Sequence, residues 1–118
     1  MAMRTASIWV IIFGMVVSSA KSQEGNTSDD VRRGHDLADM ICAICHIATP
    51  DQRYKPLLKP PAPPFESIAQ RKDINTVSLQ NFLTTTHRGL DTPKGMPNPD
   101  LADFQVKQVV AYLLSLRK

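Results

Sequence analysis

The only two cysteines of the chain and one of its three histidines stand together in the motif Cys42-Ala43-Ile44-Cys45-His46. Two cysteines three positions apart, followed at once by histidine, have the spacing of a c-type haem attachment site. On a helical turn, residues three apart share a face, so both sulfurs can reach the two vinyl groups along one porphyrin edge as thioethers. His46 can then turn its imidazole toward the iron. The motif predicts one covalently attached haem c, with His46 as the proximal iron ligand.

A Cys-x-x-Cys pair has three other common uses, in a redox-active disulfide, a structural disulfide or half of a zinc site. A thioredoxin-type redox site needs a βαβ context, which the sequence does not offer. A structural zinc site needs further cysteines or suitably spaced histidines. The pattern favours haem over these alternatives.

An iron with one protein ligand has a second axial position, for which Met96 and His87 are the downstream candidates. Met96 lies in a polar, proline-rich loop (residues 93–99) with no apolar neighbours to pack against, so a ligand role suits it better than a core role. His87 suits a position at the end of a helix. Met40 is too close to the attachment site to reach the opposite face of the ring, and His35 is interpreted as a solvated helix histidine. The sequence favours Met96 as the distal ligand, with His87 as the alternative.

Apolar residues at a period of 3.6 predict a helix near each end of the chain after residue 28. The first begins at a capping aspartate, Asp29 or Asp30, and runs through Ala43. The last begins at Asp100 or Asp103 and ends close to the basic C-terminus, where positive charge suits the end of a helix.

All nine prolines lie between Pro50 and Pro99, so the backbone is bent in the middle of the chain. Residues 65–71 predict two short turns, and residues 76–86 predict a further helix capped by Asn75 or Thr76. No segment alternates apolar and polar residues for long enough to form a strand. The predicted fold is therefore all-α with long irregular loops. The apolar residues expected to bury the ring are Phe65, Ile68, Leu79, Phe82 and Leu83.

The first 22 residues have the pattern of a cleavable secretory signal. Arg4 precedes an uncharged apolar run at positions 8–17, and small residues allow cleavage after Ala20 or Ser22. The run is too short to cross a bilayer, which takes about 20 apolar residues. We therefore expect residues 23–118 to form one soluble domain in the periplasm, without stable membrane insertion.

The charge of the chain argues against a nucleic-acid partner. The formal net charge is +3, from 14 basic and 11 acidic residues. Arg4 and Lys21 belong to the leader, so the rest of the chain has 12 basic and 11 acidic residues. No basic run is longer than Arg32-Arg33. Such a balance gives no electrostatic footprint for phosphate backbones or anionic lipid.

Four features in their order along the chain resemble the class I c-type cytochromes. Gly34 stands eight residues before Cys42, the haem motif lies near the mature N-terminus, Met96-Pro97 follows far downstream, and residues 109–113 form part of the last helix. The resemblance spans about residues 30–117. It implies a cytochrome c fold, in which three to four helices wrap around one covalently attached haem and the N- and C-terminal helices cross.

The resemblance also implies roles for further residues and a function. Gly34 and Tyr112 would lie where the two helices cross, and the carbonyl of Pro63 would accept a hydrogen bond from the second ring nitrogen of His46. The implied function is one-electron transfer between a donor and an acceptor protein, by a monomer that is not an enzyme. The alternative is a five-coordinate haem protein that binds a gas or reduces peroxide. A fixed electron-transfer subunit of one complex would use the same chemistry.

Overall fold

Four α-helices and one 3₁₀ turn form the part of the chain that the computed structural model describes, residues 28–85 and 95–118. In chain order they are α1 (Ser28–Ile41), the 3₁₀ turn (Cys42–Ile44), α2 (Phe65–Ala69), α3 (Thr76–Thr85) and α4 (Asp103–Ser115). Over these two stretches there is no strand, and one isolated bridge pairs His46 with Ala62. The prediction of an all-α fold is confirmed. The expected leader, residues 1–22, and His87 lie outside the described residues.

Helix α1 differs from its prediction at both ends. It begins at Ser28, so Asp29 and Asp30 lie in its first turn rather than at its cap, where their charge still favours the N-terminal end of the helix dipole. The α-helix ends at Ile41 and not at Ala43, because the backbone tightens into the 3₁₀ turn. Two N–H groups, those of Cys45 and His46, donate to the Cys42 carbonyl at 3.1 and 2.9 Å.

Helix α4 is capped by neither predicted aspartate: its N-cap is Ala102, two residues after Asp100 and one residue before Asp103. Alanine has no side-chain acceptor, and the side-chain oxygen of Gln105 satisfies the Ala102 N–H instead, at 3.0 Å. Asp103 is the first residue of the helix, and Asp100 has a φ of 51°. Helix α4 supplies six of the 13 buried apolar residues in the described part of the chain, namely Val106, Val109, Val110, Ala111, Tyr112 and Leu113.

The two long helices cross closely at Gly34, as expected. A Cβ atom placed on Gly34 would lie 1.9 Å from the backbone oxygen of Gln108 and 2.8 Å from the Cβ atom of Tyr112. Neither approach is compatible with a side chain, so only glycine allows the backbones of α1 and α4 to come this close.

Tyr112 links this crossing to the loop that follows His46. Its hydroxyl donates to the carbonyl of Ala48 at 3.1 Å, and burial raises the pKa of that hydroxyl to about 12, with smaller contributions from Asp51 and Asp39. The ring of His35 stands edge-on to the Tyr112 ring, with centroids 5.3 Å apart. The C-terminal helix is therefore hydrogen-bonded to the segment that carries the haem motif.

The shorter helices α2 and α3 also contribute buried residues to the core. Asn75, one of the two predicted caps, caps α3. Its side-chain oxygen accepts a hydrogen bond from the Ser78 N–H at 3.0 Å. In return, the Ser78 hydroxyl oxygen accepts one from the Asn75 N–H at 2.8 Å. Of the residues expected to bury the ring, Phe65, Leu79 and Leu83 are buried and Ile68 is half-buried. Phe82 is 47% exposed, so the expectation that it is buried is wrong.

His35, predicted to be a solvated helix histidine, is half-exposed and also forms hydrogen bonds to two aspartates. Its Nε2 atom lies 2.8 Å from Asp51 Oδ1, and its Nδ1 atom lies 3.3 Å from Asp36 Oδ1. The hydrogen bond to Asp51 raises the pKa of His35, and the same bond lowers the pKa of Asp51. This contact joins α1 to the loop after His46, across 16 residues of sequence.

The His35–Asp51 pair is expected to stabilise the folded chain most between pH 3.8 and 6.5, the ordinary pKa values of its two groups. The stabilisation from His35 is complete below its ordinary pKa and is lost as the pH rises through the raised value, whereas that from Asp51 is lost as the pH falls through the lowered one. Urea unfolding at about pH 5 and about pH 8 therefore tests the pair, because His titrates within this interval. His35→Gln should cost more stability at the lower pH. Asp73→Asn, which breaks an exposed ion pair with Arg71, is the control, and its cost in stability should be the same at both pH values. An equal cost of His35→Gln at both pH values would contradict the prediction.

Candidate functional site

The two thiols lie on the single turn where α1 tightens. Cys42 is buried and Cys45 is half-buried, and both are free, with no disulfide between them. Burial raises the pKa of the Cys42 thiol to about 11, and the neighbouring Cys45 adds to the shift. A raised pKa is the opposite of the lowered pKa typical of Cys-x-x-Cys redox sites. A Cys42 thiol with a raised pKa, on one turn with Cys45, suits thioether attachment better than disulfide exchange.

His46 is 7% exposed, and its ring is held at one nitrogen. Its Nδ1 atom lies 2.7 Å from the carbonyl oxygen of Pro63, to which it donates, and its ring packs edge-on against Phe65 with centroids 5.3 Å apart. With the proton on Nδ1, the Nε2 atom carries the lone pair. Among residues 28–85 and 95–118, Nε2 has no hydrogen-bond partner, so it is a nitrogen ligand available to a metal.

The proline-rich segment is paired with the haem motif along its backbone. The N–H groups of Leu57, Ala62 and Phe65 donate to the carbonyl oxygens of residues 44, 45 and 47, at 2.9, 2.8 and 3.0 Å. Proline has no N–H group, so in the run from Pro60 to Pro64 only Ala62 can donate. This register brings Pro63, rather than one of its neighbours, opposite the His46 ring.

Met96 lies in the irregular stretch before α4 and is half-buried. It packs against the same hydrophobic core that contains Cys42, Phe65 and Leu83. The expectation that Met96 has no apolar neighbours is therefore wrong, and its packing also fits a core residue, although a half-buried methionine suits a soft metal ligand as well. His87, the alternative ligand, belongs to the stretch outside the described residues.

The side chains present fit a haem. Two free thiols on one turn, a buried imidazole with an available Nε2 and a half-buried thioether form the donor set that a c-type haem uses. Within the described part of the chain, no three His, Cys, Asp or Glu side chains converge as a metal-binding group.

Sequence reasoning missed two contacts around this site. One is the His35–Asp51 pair, and the other is Gln52, whose side chain holds the loop that follows His46. Both involve polar residues in an irregular segment, where no periodicity or motif indicates which side chains meet. The sequence Pro-Asp-Gln at positions 50–52 indicates a turn, but it does not show which residues the Asp and Gln side chains contact.

Apolar side chains also line a cleft of about 720 Å³ beside the motif, between the end of α1 and the following loop. Met40, Ile44, Tyr54 and Leu57 line it, and all four are exposed. No helix among the described residues is long and apolar enough to span a membrane.

The fold and the donor set define a small cytochrome c. The chain matches the cytochrome c family over residues 31–117 and belongs to that family, whose members bind haem c covalently and transfer electrons. It is 32% identical to a cytochrome c-552 of Bradyrhizobium diazoefficiens over 103 residues, which are 87% of this chain and 90% of that protein. No solved structure matches the chain significantly.

Proposed function

We propose that the protein is a one-electron carrier of the periplasm whose haem iron is bound by His46 on one side and Met96 on the other. The observation that carries this proposal is the 2.7 Å hydrogen bond from His46 Nδ1 to the Pro63 carbonyl. This bond fixes the tautomer and the orientation of the ring, and it makes Nε2 a stronger ligand. Membership of the cytochrome c family supports the electron-transfer role.

Each ligand has a distinct effect on electron transfer. When bound, the haem supplies a one-electron iron couple, and a thioether favours its ferrous state and raises the reduction potential relative to two histidines. Met96 would provide that thioether. Ligands on both faces leave no coordination position for a substrate, so catalysis is not expected. The buried side chains of Phe65, Leu79 and Leu83 exclude water and so limit reorganisation when charge changes.

The absorption spectrum of the haem-loaded protein tests this assignment. We expect a sharp c-type spectrum, a weak long-wavelength band from sulfur-to-iron charge transfer in the oxidised form, and no response of the reduced form to carbon monoxide. A low-spin spectrum without that band would assign the distal position to His87. Rapid binding of carbon monoxide to the unmodified protein would favour a gas-binding or peroxide-reducing function.

Met96→Ala is expected to change carbon monoxide binding from none to one molecule per haem and to lower the reduction potential. Removal of the thioether opens the distal position and withdraws the ligand that favours ferrous iron. Met40→Ala is the matched control, since it makes the same change at a side chain that is 67% exposed. An unchanged spectrum and potential in Met96→Ala would show that another residue is the ligand.

Location and partners complete the proposal. The leader of residues 1–22 supports export, and N-terminal sequencing of the purified protein is expected to begin at Lys21 or Gln23, which follow the two cleavage sites. A chain that retains Met1 would contradict cleavage. The partners would be a donor and an acceptor protein in small, transient interfaces, as is typical of redox encounters. Copurification with one complex would instead indicate a fixed subunit.

A further inference from the structure

The loop that follows His46 is organised by one side-chain amide. The Oε1 atom of Gln52 accepts the N–H groups of Ala48 and Thr49 at 2.8 and 3.4 Å. Its Nε2 atom donates to the carbonyl oxygens of Tyr54 and His46 at 2.7 and 3.5 Å. Gln52 therefore uses both its acceptor and its donors to join four backbone groups on either side of its own position.

These bonds replace secondary structure that the loop does not have. Residues 47–56 contain no helix or strand, so their backbone groups have no regular ladder to satisfy them. The loop is tied to the rest of the fold by the Tyr112 hydroxyl at Ala48 and by the His35 ring at Asp51. Gln52 is the residue that connects these anchors to the backbone of His46.

His46 is thus held at two places. Its ring is held by the Pro63 carbonyl through Nδ1, and its own carbonyl is held by Gln52. A ring can keep one orientation only if the backbone that carries it is also fixed, because any rotation of the backbone moves the imidazole relative to Pro63.

We propose that Gln52 is a positioning residue for His46: its amide fixes the backbone of the proximal loop so that the His46 ring keeps its bond to Pro63 and its Nε2 atom stays directed at the iron. The inference rests on the proposed role of His46 as the proximal ligand. It assigns to the loop a part in ligand geometry that no motif in the sequence indicates.

The test compares three variants of the haem-loaded protein. Gln52→Met keeps the size of the side chain and removes all four hydrogen bonds, and Gln52→Glu keeps the acceptor and removes the donors. Gln70→Met is the matched control, because Gln70 also bonds backbone groups, at Leu116 and Lys118, away from His46. The measurement is the hydrogen–deuterium exchange rate of the His46 Nδ1 proton, by NMR of the reduced protein, with the Val109 amide as an internal reference in the core.

Gln52→Met is expected to speed exchange of the His46 Nδ1 proton about tenfold or more relative to Val109, because the loss of several hydrogen bonds favours local opening of the loop. Gln52→Glu should give a smaller increase, and Gln70→Met none. The haem-methyl shifts of the oxidised protein should change in the same order, since they report the orientation of the ring. If Gln52→Met does not fold, the exchange rates of the His46 Nδ1 proton in Gln52→Glu and Gln70→Met are compared instead.

Two outcomes would overturn the inference. One is an unchanged exchange rate in the Gln52 variants, and the other is equal acceleration at His46 and Val109, which would mean general destabilisation. Failure of the proposed function is tested separately, in the oxidised form of the unmodified protein. There, a His46 ring that does not bind iron would lack the paramagnetic shifts of an axial ligand.

Discussion

Replacement of both Cys42 and Cys45 by alanine is expected to abolish covalent haem attachment completely. The chain has no other cysteine, and each thioether requires one thiol. His46 can still bind iron in the folded double variant, but that bond does not survive denaturation. Either single variant should keep one thioether or lose the haem. The measurement is the haem that stays with the polypeptide through denaturing electrophoresis, relative to the unmodified protein.

Ile44→Ala provides the control for the cysteine variants. Ile44 stands between the two cysteines and is 54% exposed, so its truncation changes the motif without touching a thiol or the core. It should retain all of its haem after denaturation. A normal amount of denaturation-resistant haem in the double variant would refute attachment through these two residues.

Gly34→Leu is expected to lower the free energy of unfolding by about 3 kcal/mol or more, at the upper end of the range for overpacked cores. The new Cβ would lie 1.9 Å from the backbone oxygen of Gln108, and a backbone atom cannot swing aside as the end of a side chain can. The two helices must move apart, which disturbs the six buried apolar residues that α4 contributes to the core. Because stability is marginal, this loss is a large fraction of the total.

Guanidinium unfolding of the haem-loaded protein measures this effect. Met40→Leu is the control on the same helix, where a change of shape at an exposed position should cost less than about 0.5 kcal/mol. The reduction potential of the molecules that remain folded should be nearly unchanged, because Gly34 acts on packing and not on the iron ligands. A stability equal to that of the unmodified protein would show that the crossing is less tight than the structure indicates.

The helices were predictable where local chemistry decides them. Asn75 caps α3 because a short polar side chain can reach the N–H group three residues on, and this is visible in the sequence. The crossing at Gly34 was implied by the resemblance to class I cytochromes and was confirmed. The periodic run in α4 predicted four of the residues that are buried, Val106, Val109, Val110 and Leu113, but it also included Phe104, which is 63% exposed.

The errors fall where distant or neighbouring groups override local preference. The aspartates expected as caps were available, yet the N-cap of α4 is Ala102, whose N–H group donates to the side chain of Gln105. Helix α1 gives way to the 3₁₀ turn because the motif bends into the loop paired with the proline-rich segment. Phe82 was assigned to the core from its apolar character alone.

The residues of the candidate site also differ in whether the sequence predicts them. Cys42, Cys45 and His46 could be identified from spacing, because the attachment chemistry requires it. Pro63 came from the family resemblance, and its place opposite His46 depends on the pairing of two backbones that no local pattern encodes. Gln52 and His35 could not be found, since their partners are set by the path of an irregular loop.

The close approach of α1 and α4 also determines when the chain can fold. Gly34 meets Gln108, so the contact that forms the core joins residues near opposite ends of the described chain. Contacts of such long sequence separation form late, after the entropy of closing a long loop has been overcome. Until α4 has been synthesised, Val109 and Tyr112 are absent from the hydrophobic core that also contains Cys42. The order of synthesis thus leaves the Cys42 thiol accessible until the core that buries it is complete.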